Sequence, residues 1–161
     1  GANCSFCLST GYGFEEVPNV FRKPIVQMIQ PLGDAFTYNE KHLILTKHHI
    51  FKKEERRLSL SEIFSHGVAY AYDTKDFVEK GIELKENSSE EIRDIVIEMD
   101  EYLKNNKELS GEEKELQKTF KDLYASNLKR YSHQINLVRI HGEIRSRYST
   151  QFLKKNRDWL R

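Results

Sequence analysis

Residues 3–26, Asn3-Cys4-Ser5-Phe6-Cys7-Leu8-Ser9-Thr10-Gly11-Tyr12-Gly13-Phe14-Glu15-Glu16-Val17-Pro18-Asn19-Val20-Phe21-Arg22-Lys23-Pro24-Ile25-Val26, constrain the fold more than any other part of the chain. An apolar run ends in a Ser/Thr/Gly cluster, a short helical segment follows, and a second apolar run opens at Pro24-Ile25-Val26-Gln27-Met28-Ile29. This reads as strand, turn, helix and strand. Small hydroxyl residues and glycines at the carboxyl end of a strand mark the place where α/β proteins bind ligands. Glycines let backbone approach a ligand, and N–H groups opening the next helix favour an anion such as a diphosphate. The unit starts almost at residue 1, with no initiator Met and no preceding strand, so the chain is expected to be part of something longer.

A length of 161 residues fits one domain able to bury a core. With 26 Lys+Arg against 25 Asp+Glu, the formal charge of +1 gives no global reason to expect a nucleic-acid partner. No run approaches the ~18 apolar residues that span a bilayer. No basic-then-apolar start resembles a signal peptide. The expectation is a soluble, cytoplasmic protein with no transmembrane segment.

Cys4 and Cys7 are the only cysteines, which argues against a disulfide scaffold. Their C-x-x-C spacing invites a metal or redox reading. Zinc needs two further ligands, however, and the histidines (His42, His48, His49, His66, His133, His141) cluster only at 48–49. Residues three apart on a strand face opposite ways. The expectation is therefore two buried, structural strand cysteines and no metal.

Two strands, at residues 4–8 and 24–29, are followed by a turn at Pro31-Leu32-Gly33-Asp34 and a third short strand at residues 42–47. The charged run 52–57 reads as a solvated loop. Ser59-Leu60-Ser61-Glu62 has the form of a capping box and opens a helix ending at Gly67. Asp73 or Thr74 caps another over residues 75–79, stopped by Gly81, and residues 81–84 form a short last strand. Beyond this the pattern is helical. Ser88-Ser89-Glu90-Glu91 precedes Ile92, Ile95, Val96, Met99 and Leu103 at helical spacing. Ser110-Gly111-Glu112-Glu113 repeats the signal before Leu116, Phe120, Leu123, Tyr124 and Leu128, and a third helical segment spans about 142–160, broken near Ser149-Thr150. The division is an α/β half at 1–87 and a helical region at 88–161 that packs on it as one compact domain.

Four segments, in order, carry a resemblance. They are Leu8-Ser9-Thr10-Gly11 with Val17-Pro18-Asn19-Val20-Phe21-Arg22-Lys23-Pro24-Ile25-Val26; Leu58-Ser59-Leu60-Ser61-Glu62-Ile63; Gly81-Ile82-Glu83-Leu84-Lys85-Glu86-Asn87-Ser88-Ser89-Glu90-Glu91-Ile92; and His141-Gly142-Glu143-Ile144-Arg145-Ser146-Arg147 with Gln151-Phe152-Leu153-Lys154-Lys155-Asn156. Together they resemble a bacterial family of glycosyltransferases for surface polysaccharides with the two-domain GT-B architecture. The resemblance implies a partial Rossmann-like parallel sheet, the C-terminal half that usually holds the nucleotide-sugar donor, with packed C-terminal helices. The acceptor-side domain would be absent and the fragment inactive alone. The partners implied are a nucleotide sugar, used as substrate with no cofactor, and a glycan acceptor. Tyr12 departs from the family's usual S-G-L-like turn.

Each candidate residue has two readings. Ser9, Thr10, Gly11 and Gly13 either hold a donor diphosphate or make a turn and helix cap. Glu15 and Glu16 either accept hydrogen bonds from a ribose diol or complement a helix start. Arg22 and Lys23 read as a solubilised helix end. Lys47, His48 and His49 end the third strand, where they either face the same crevice as Ser9, as phosphate partner or base, or form a solvated loop end. Arg145 and Arg147 are phosphate candidates, and Trp159 is expected to dock the terminal segment rather than stack on a base. The rival functions are a non-catalytic protein-interaction scaffold and a thiol-redox or metal protein using Cys4 and Cys7. A sheet edge left open would also favour pairing of two copies as a homodimer.

Overall fold

A computed structural model describes residues 2–11, 13–29, 32, 40–131 and 144–161. Tyr12, the 31–34 turn apart from Leu32, and His133, His141, Gly142 and Glu143 lie outside the described residues. The elements are β1 (Cys7–Ser9), α1 (Glu16–Val20), β2 (Ile25–Ile29), β3 (Leu43–Thr46), β4 (His48–Phe51), β5 (Arg56–Arg57), α2 (Leu60–Ser65), α3 (Thr74–Val78), β6 (Ile82–Lys85), α4 (Ser89–Asn105), α5 (Gly111–Tyr131), β7 (Arg147–Tyr148), α6 (Thr150–Lys155) and a closing 3-10 turn at Arg157–Trp159.

The strands form two sheets. The first is a four-stranded sheet in the order β1-β2-β3-β7 with every pair parallel, and Ser9 aligns with Gln27, Ile44 and Tyr148 across it. Its central strand β3 is buried at every residue, as a parallel strand covered on both faces must be. The second sheet is antiparallel, in the order β5-β4-β6. Lys47 alone separates β3 in the first sheet from β4 in the second. The sequence pattern of residues 81–84 locates β6, whereas its antiparallel pairing with β4 shows only in three dimensions.

Three helices start where the serine–glutamate signals place them. Ser59 with Glu62, Ser88 with Glu91 and Ser110 with Glu113 each exchange backbone and side-chain hydrogen bonds in a capping box, satisfying N–H groups that a helix start leaves free. Ile95 and Met99 of α4 and Leu116, Phe120, Tyr124 and Leu128 of α5 turn inward at helical spacing. One apolar cluster takes residues from both 1–87 and 88–161, among them Val26, Leu43, Ile63, Phe64, Met99 and Phe120, so the helices complete the core of the sheets.

The terminal segment departs from its helical pattern. Arg147 and Tyr148 form the fourth parallel strand, opposite Leu43 and Ile44, and the helix starts only at Thr150, capped by Ser149. Tyr148 is fully buried and packs on Phe120, Phe152 and Trp159 with ring centroids 4.8–5.4 Å away. Strand pairing and aromatic packing together override the local preference here. Trp159 is buried in this aromatic group, as its expected docking role requires.

The two edges of the parallel sheet are treated differently. At β7, Gln117 of α5 donates from Nε2 to the Tyr148 carbonyl at 2.7 Å and accepts the Tyr148 N–H at Oε1 at 3.1 Å. A side-chain amide thus stands in for the next strand. Its Nε2 also reaches Thr150 Oγ1. At the other edge β1 has no strand beyond it among the described residues, and Leu8 is 48% exposed. The cysteines differ from expectation too: Cys4 precedes β1, Cys7 lies on it, both are only partly buried, and no disulfide joins them. Burial first, and then the neighbouring Cys4, push the Cys7 thiol up.

Gln117→Leu keeps the volume but strands two buried backbone groups. The expected loss of stability is about 2–4 kcal/mol, from two groups at roughly 1–3 kcal/mol each. Urea unfolding measures it; a midpoint within error of the parent would show that this amide does not hold the edge.

Candidate functional site

The carboxyl ends of β1, β2 and β3 lie together, and the turn after β1 is built at this end. Ser9 is buried, and its hydroxyl accepts the Gly11 N–H at 3.1 Å and donates to Glu15 Oε2 at 3.4 Å. Gly11 and Gly13 have φ of +93° and +88°, where side chains with a Cβ are disfavoured. A Cβ built at either glycine meets nothing within 4 Å. Backbone strain, not crowding, therefore reserves these positions for glycine, and the turn's backbone is open to approach. Thr10 is exposed. The Gly13 and Phe14 carbonyls accept the N–H groups of Glu16 and Val17, which closes the turn into α1. Arg22, at φ +53°, then turns the chain out of α1 toward β2, a helix exit that more often falls to glycine.

Lys47 follows the end of β3, two strands from Ser9 and three residues beyond Ile44, which is level with Ser9, so the two backbones lie roughly 14 Å apart. It is 36% exposed, and its ammonium pairs with the exposed Glu86 at 2.6 Å. Asn87 Nδ2 donates to the Thr46 carbonyl at 2.9 Å, which fixes the approach of α4 to this end of the sheet. The sheet thus brings Ser9, Thr10, Gly11, Gly13, Glu15 and Lys47 to one end.

The other candidates separate from this group. His48 Nε2 lies 3.0 Å from Glu91 Oε2, the carboxylate that also caps α4. His49 faces the interior: it is 1% exposed, its Nδ1 bonds the Lys47 carbonyl, and its ring lies against Phe77. Alternation along β4 explains this, because neighbours on a strand face opposite ways. Burial lowers the His49 pKa to about 4, so the ring is neutral and turned away from the crevice. Arg145 is exposed and precedes β7, whose first residue pairs with the first residue of β3. It therefore lies at the amino end of the sheet, opposite the turn. Arg147 is there as well, its guanidinium 4.3 Å from the centre of the Tyr102 ring.

The residue the sequence reading left out is Glu86. Its charge partner, Lys47, is 39 positions away, and only the crossing of β6 past β4 brings them together. In and around α1, Phe14, Val17, Val20 and Phe21 are exposed, as is Leu8 on β1. Among the described residues no cluster of three or more His, Cys, Asp or Glu is arranged to hold a metal ion. No helix among them is long and apolar enough to cross a membrane.

Two measurements follow from this geometry. Gly13→Ala forces a disfavoured backbone conformation without a clash, and the expected cost is about 1–2 kcal/mol by thermal or urea unfolding. An unchanged stability would show that the turn relaxes. For His49 the folded pKa lies below the free value of 6.5. The unfolded chain then binds more protons between pH 6.5 and about 4, so stability is fully present above pH 6.5 and falls as pH drops toward 4. The contribution is on the order of 3 kcal/mol at most. His49→Gln should flatten this part of the stability–pH curve, and a parallel curve for the variant would contradict the assignment. Comparison with protein-family models, with curated proteins and with solved structures finds no match to this chain.

Proposed function

We propose that the chain is the nucleotide-sugar-binding, C-terminal part of a GT-B glycosyltransferase in bacterial surface-glycan synthesis, with a Rossmann-like sheet as its donor platform. What supports this reading is one arrangement: a glycine turn with open backbone after the first parallel strand, with a lysine at the same end of the sheet. Ligands of open parallel sheets gather outside the carboxyl ends of the strands. Ser9, Thr10 and the N–H groups of the turn would hold the diphosphate and stabilise the charge it gains as it leaves. Lys47 would exchange Glu86 for a phosphate, at little cost because exposed ion pairs are weak.

Glu15 takes a different part. Its carboxylate, bonded to Ser9, repels an anion and suits hydroxyl groups of ribose or sugar. Arg145, at the far end of the sheet, has no part in this site. The glycan acceptor and the base that activates it would sit across a cleft on the partner domain of the full enzyme, since reaction needs both reactants held together.

The test is thermal stabilisation of this chain by a panel of nucleoside diphosphates and nucleotide sugars. A ligand at 100 times its Kd contributes about 2.7 kcal/mol, a readily measured shift. A shift with one nucleotide that disappears in Ser9→Ala/Thr10→Ala is the expected result. A shift that survives the double substitution would move the site elsewhere.

A second reading, a non-catalytic interaction module, draws on the exposed apolar Phe14, Val17, Val20 and Phe21 in and around α1. It expects a flat nucleotide panel, together with self-association at high concentration that Val20→Glu abolishes.

A further inference from the structure

A cleft of about 170 Å³ opens at the amino end of the parallel sheet, between the carboxyl-terminal half of α4, the α4–α5 connection, β7 and the start of α6. It stands apart from the turn at residues 9–13 and from Lys47, and nothing in the proposed donor site uses it. Two of the residues that line it have unmet hydrogen-bonding capacity. Glu98 accepts the Thr150 N–H at Oε2, at 2.9 Å, while its Oε1 is buried without a hydrogen-bond partner. Arg147 stacks on Tyr102, and its Nη2 is likewise buried without one. These two atoms, an acceptor and a donor of a class that folded proteins almost always pair, are closed off behind the wall of the same cleft.

The charges narrow what can pair with them. Asp94, Glu98, Glu101, Glu108 and Glu113 line the cleft with Lys107 and Arg147, and cations behind the wall pair with several of these acids, so no uncompensated positive charge is left for an anion. A cation finds few free carboxylates, because Lys155 holds Asp94, Lys107 holds Glu101 and Lys154 holds Glu113, each at 2.6–2.7 Å. A neutral polyol meets both requirements. Each hydroxyl accepts from a guanidinium and donates to a carboxyl group, and Ile97, Tyr102 and Leu109 offer apolar surface for ring C–H groups. Burial raises the Glu98 pKa, against the opposing pull of its Thr150 hydrogen bonds and the Arg147 charge. At 170 Å³ the cleft falls below the ~300–1,000 Å³ of drug-sized pockets, so it suits a single ring.

We propose that the Glu98–Arg147 cleft is a binding site for one neutral monosaccharide unit, separate from the nucleotide site and independent of the glycosyltransferase reading. A bound hydroxyl pair would meet Glu98 Oε1 and Arg147 Nη2 after a small outward rotation of the two side chains. Gln151 would contribute its side-chain amide from the rim.

The probe is a panel of free neutral hexoses and N-acetylhexosamines titrated into the isotopically labelled chain, followed by amide and arginine Nε–H chemical shifts. The expected result is saturable binding in the millimolar range, with a standard free energy near −4.1 kcal/mol at a Kd of about 1 mM, and shifts at Glu98, Arg147 and Gln151. Glu98→Ala should weaken binding by about 10-fold, or about 1.4 kcal/mol. Gln151→Ala should weaken it less, and it serves as the reporter if the Glu98 variant fails to fold. Linear, non-saturating shifts for every sugar at up to about 100 mM would overturn the proposal and leave water as the partner of both groups. Saturable shifts confined to the turn at residues 9–13 would overturn it as well.

Discussion

The pairing of Tyr148 with β3 on one side and Gln117 on the other is the constraint on which the remaining architecture hangs. A two-residue strand adds little by itself, yet this one carries an unusual density of partners. Tyr148 closes the ladder with Ile44, accepts the Thr46 N–H at its phenol oxygen from 3.1 Å, and fills the space between Phe120, Phe152 and Trp159. It thereby fastens the last strand, α5, α6 and the closing 3-10 turn to the central strand of the parallel sheet. Burial pushes its phenol well above the ordinary tyrosine range, which favours the neutral hydrogen-bonding form.

That anchoring gives the candidate site its backing. Thr46 is held from one side by Tyr148 Oη, and its carbonyl is held from the other by Asn87 Nδ2. Lys47, the next residue, therefore leaves a fixed strand end while its side chain stays exchangeable. The turn after β1 follows a strand with no further strand beyond it among the described residues, and Ser9 with Glu15 and the Gly11 N–H supplies its internal hydrogen bonding.

Much of this was legible in the sequence where the signal is local. The three serine–glutamate capping boxes mark the starts of α2, α4 and α5, since both halves of each box lie within four residues. The apolar runs of β2 and β3 and the glycine turn after β1 are equally local, and with them most of the candidate site. What the sequence hid depends on pairing between distant segments. Arg147 and Tyr148 sit in a stretch of helical composition and become a strand only beside β3. Gln117 reads as an unremarkable helix residue until it meets the edge of β7. The inward turn of His49 follows from strand alternation once β4 is known to begin at His48, but the string of residues 42–51 does not show where one strand stops and the next begins.

The passage of the chain between the two sheets through Lys47 alone has a consequence for how this protein can vary. Side chains alternate at every residue of a strand, so one residue added or removed at this joint would exchange the two faces of β4. His49 would leave Phe77 for the side where His48 meets Glu91 and Phe152, and Ile50 and Phe51 would trade places likewise. The joint thus tolerates substitution of its side chain but not a change in its length. Sequence descendants of this chain are expected to vary freely in the loop at residues 52–55 while keeping the count from Thr46 to His48 unchanged.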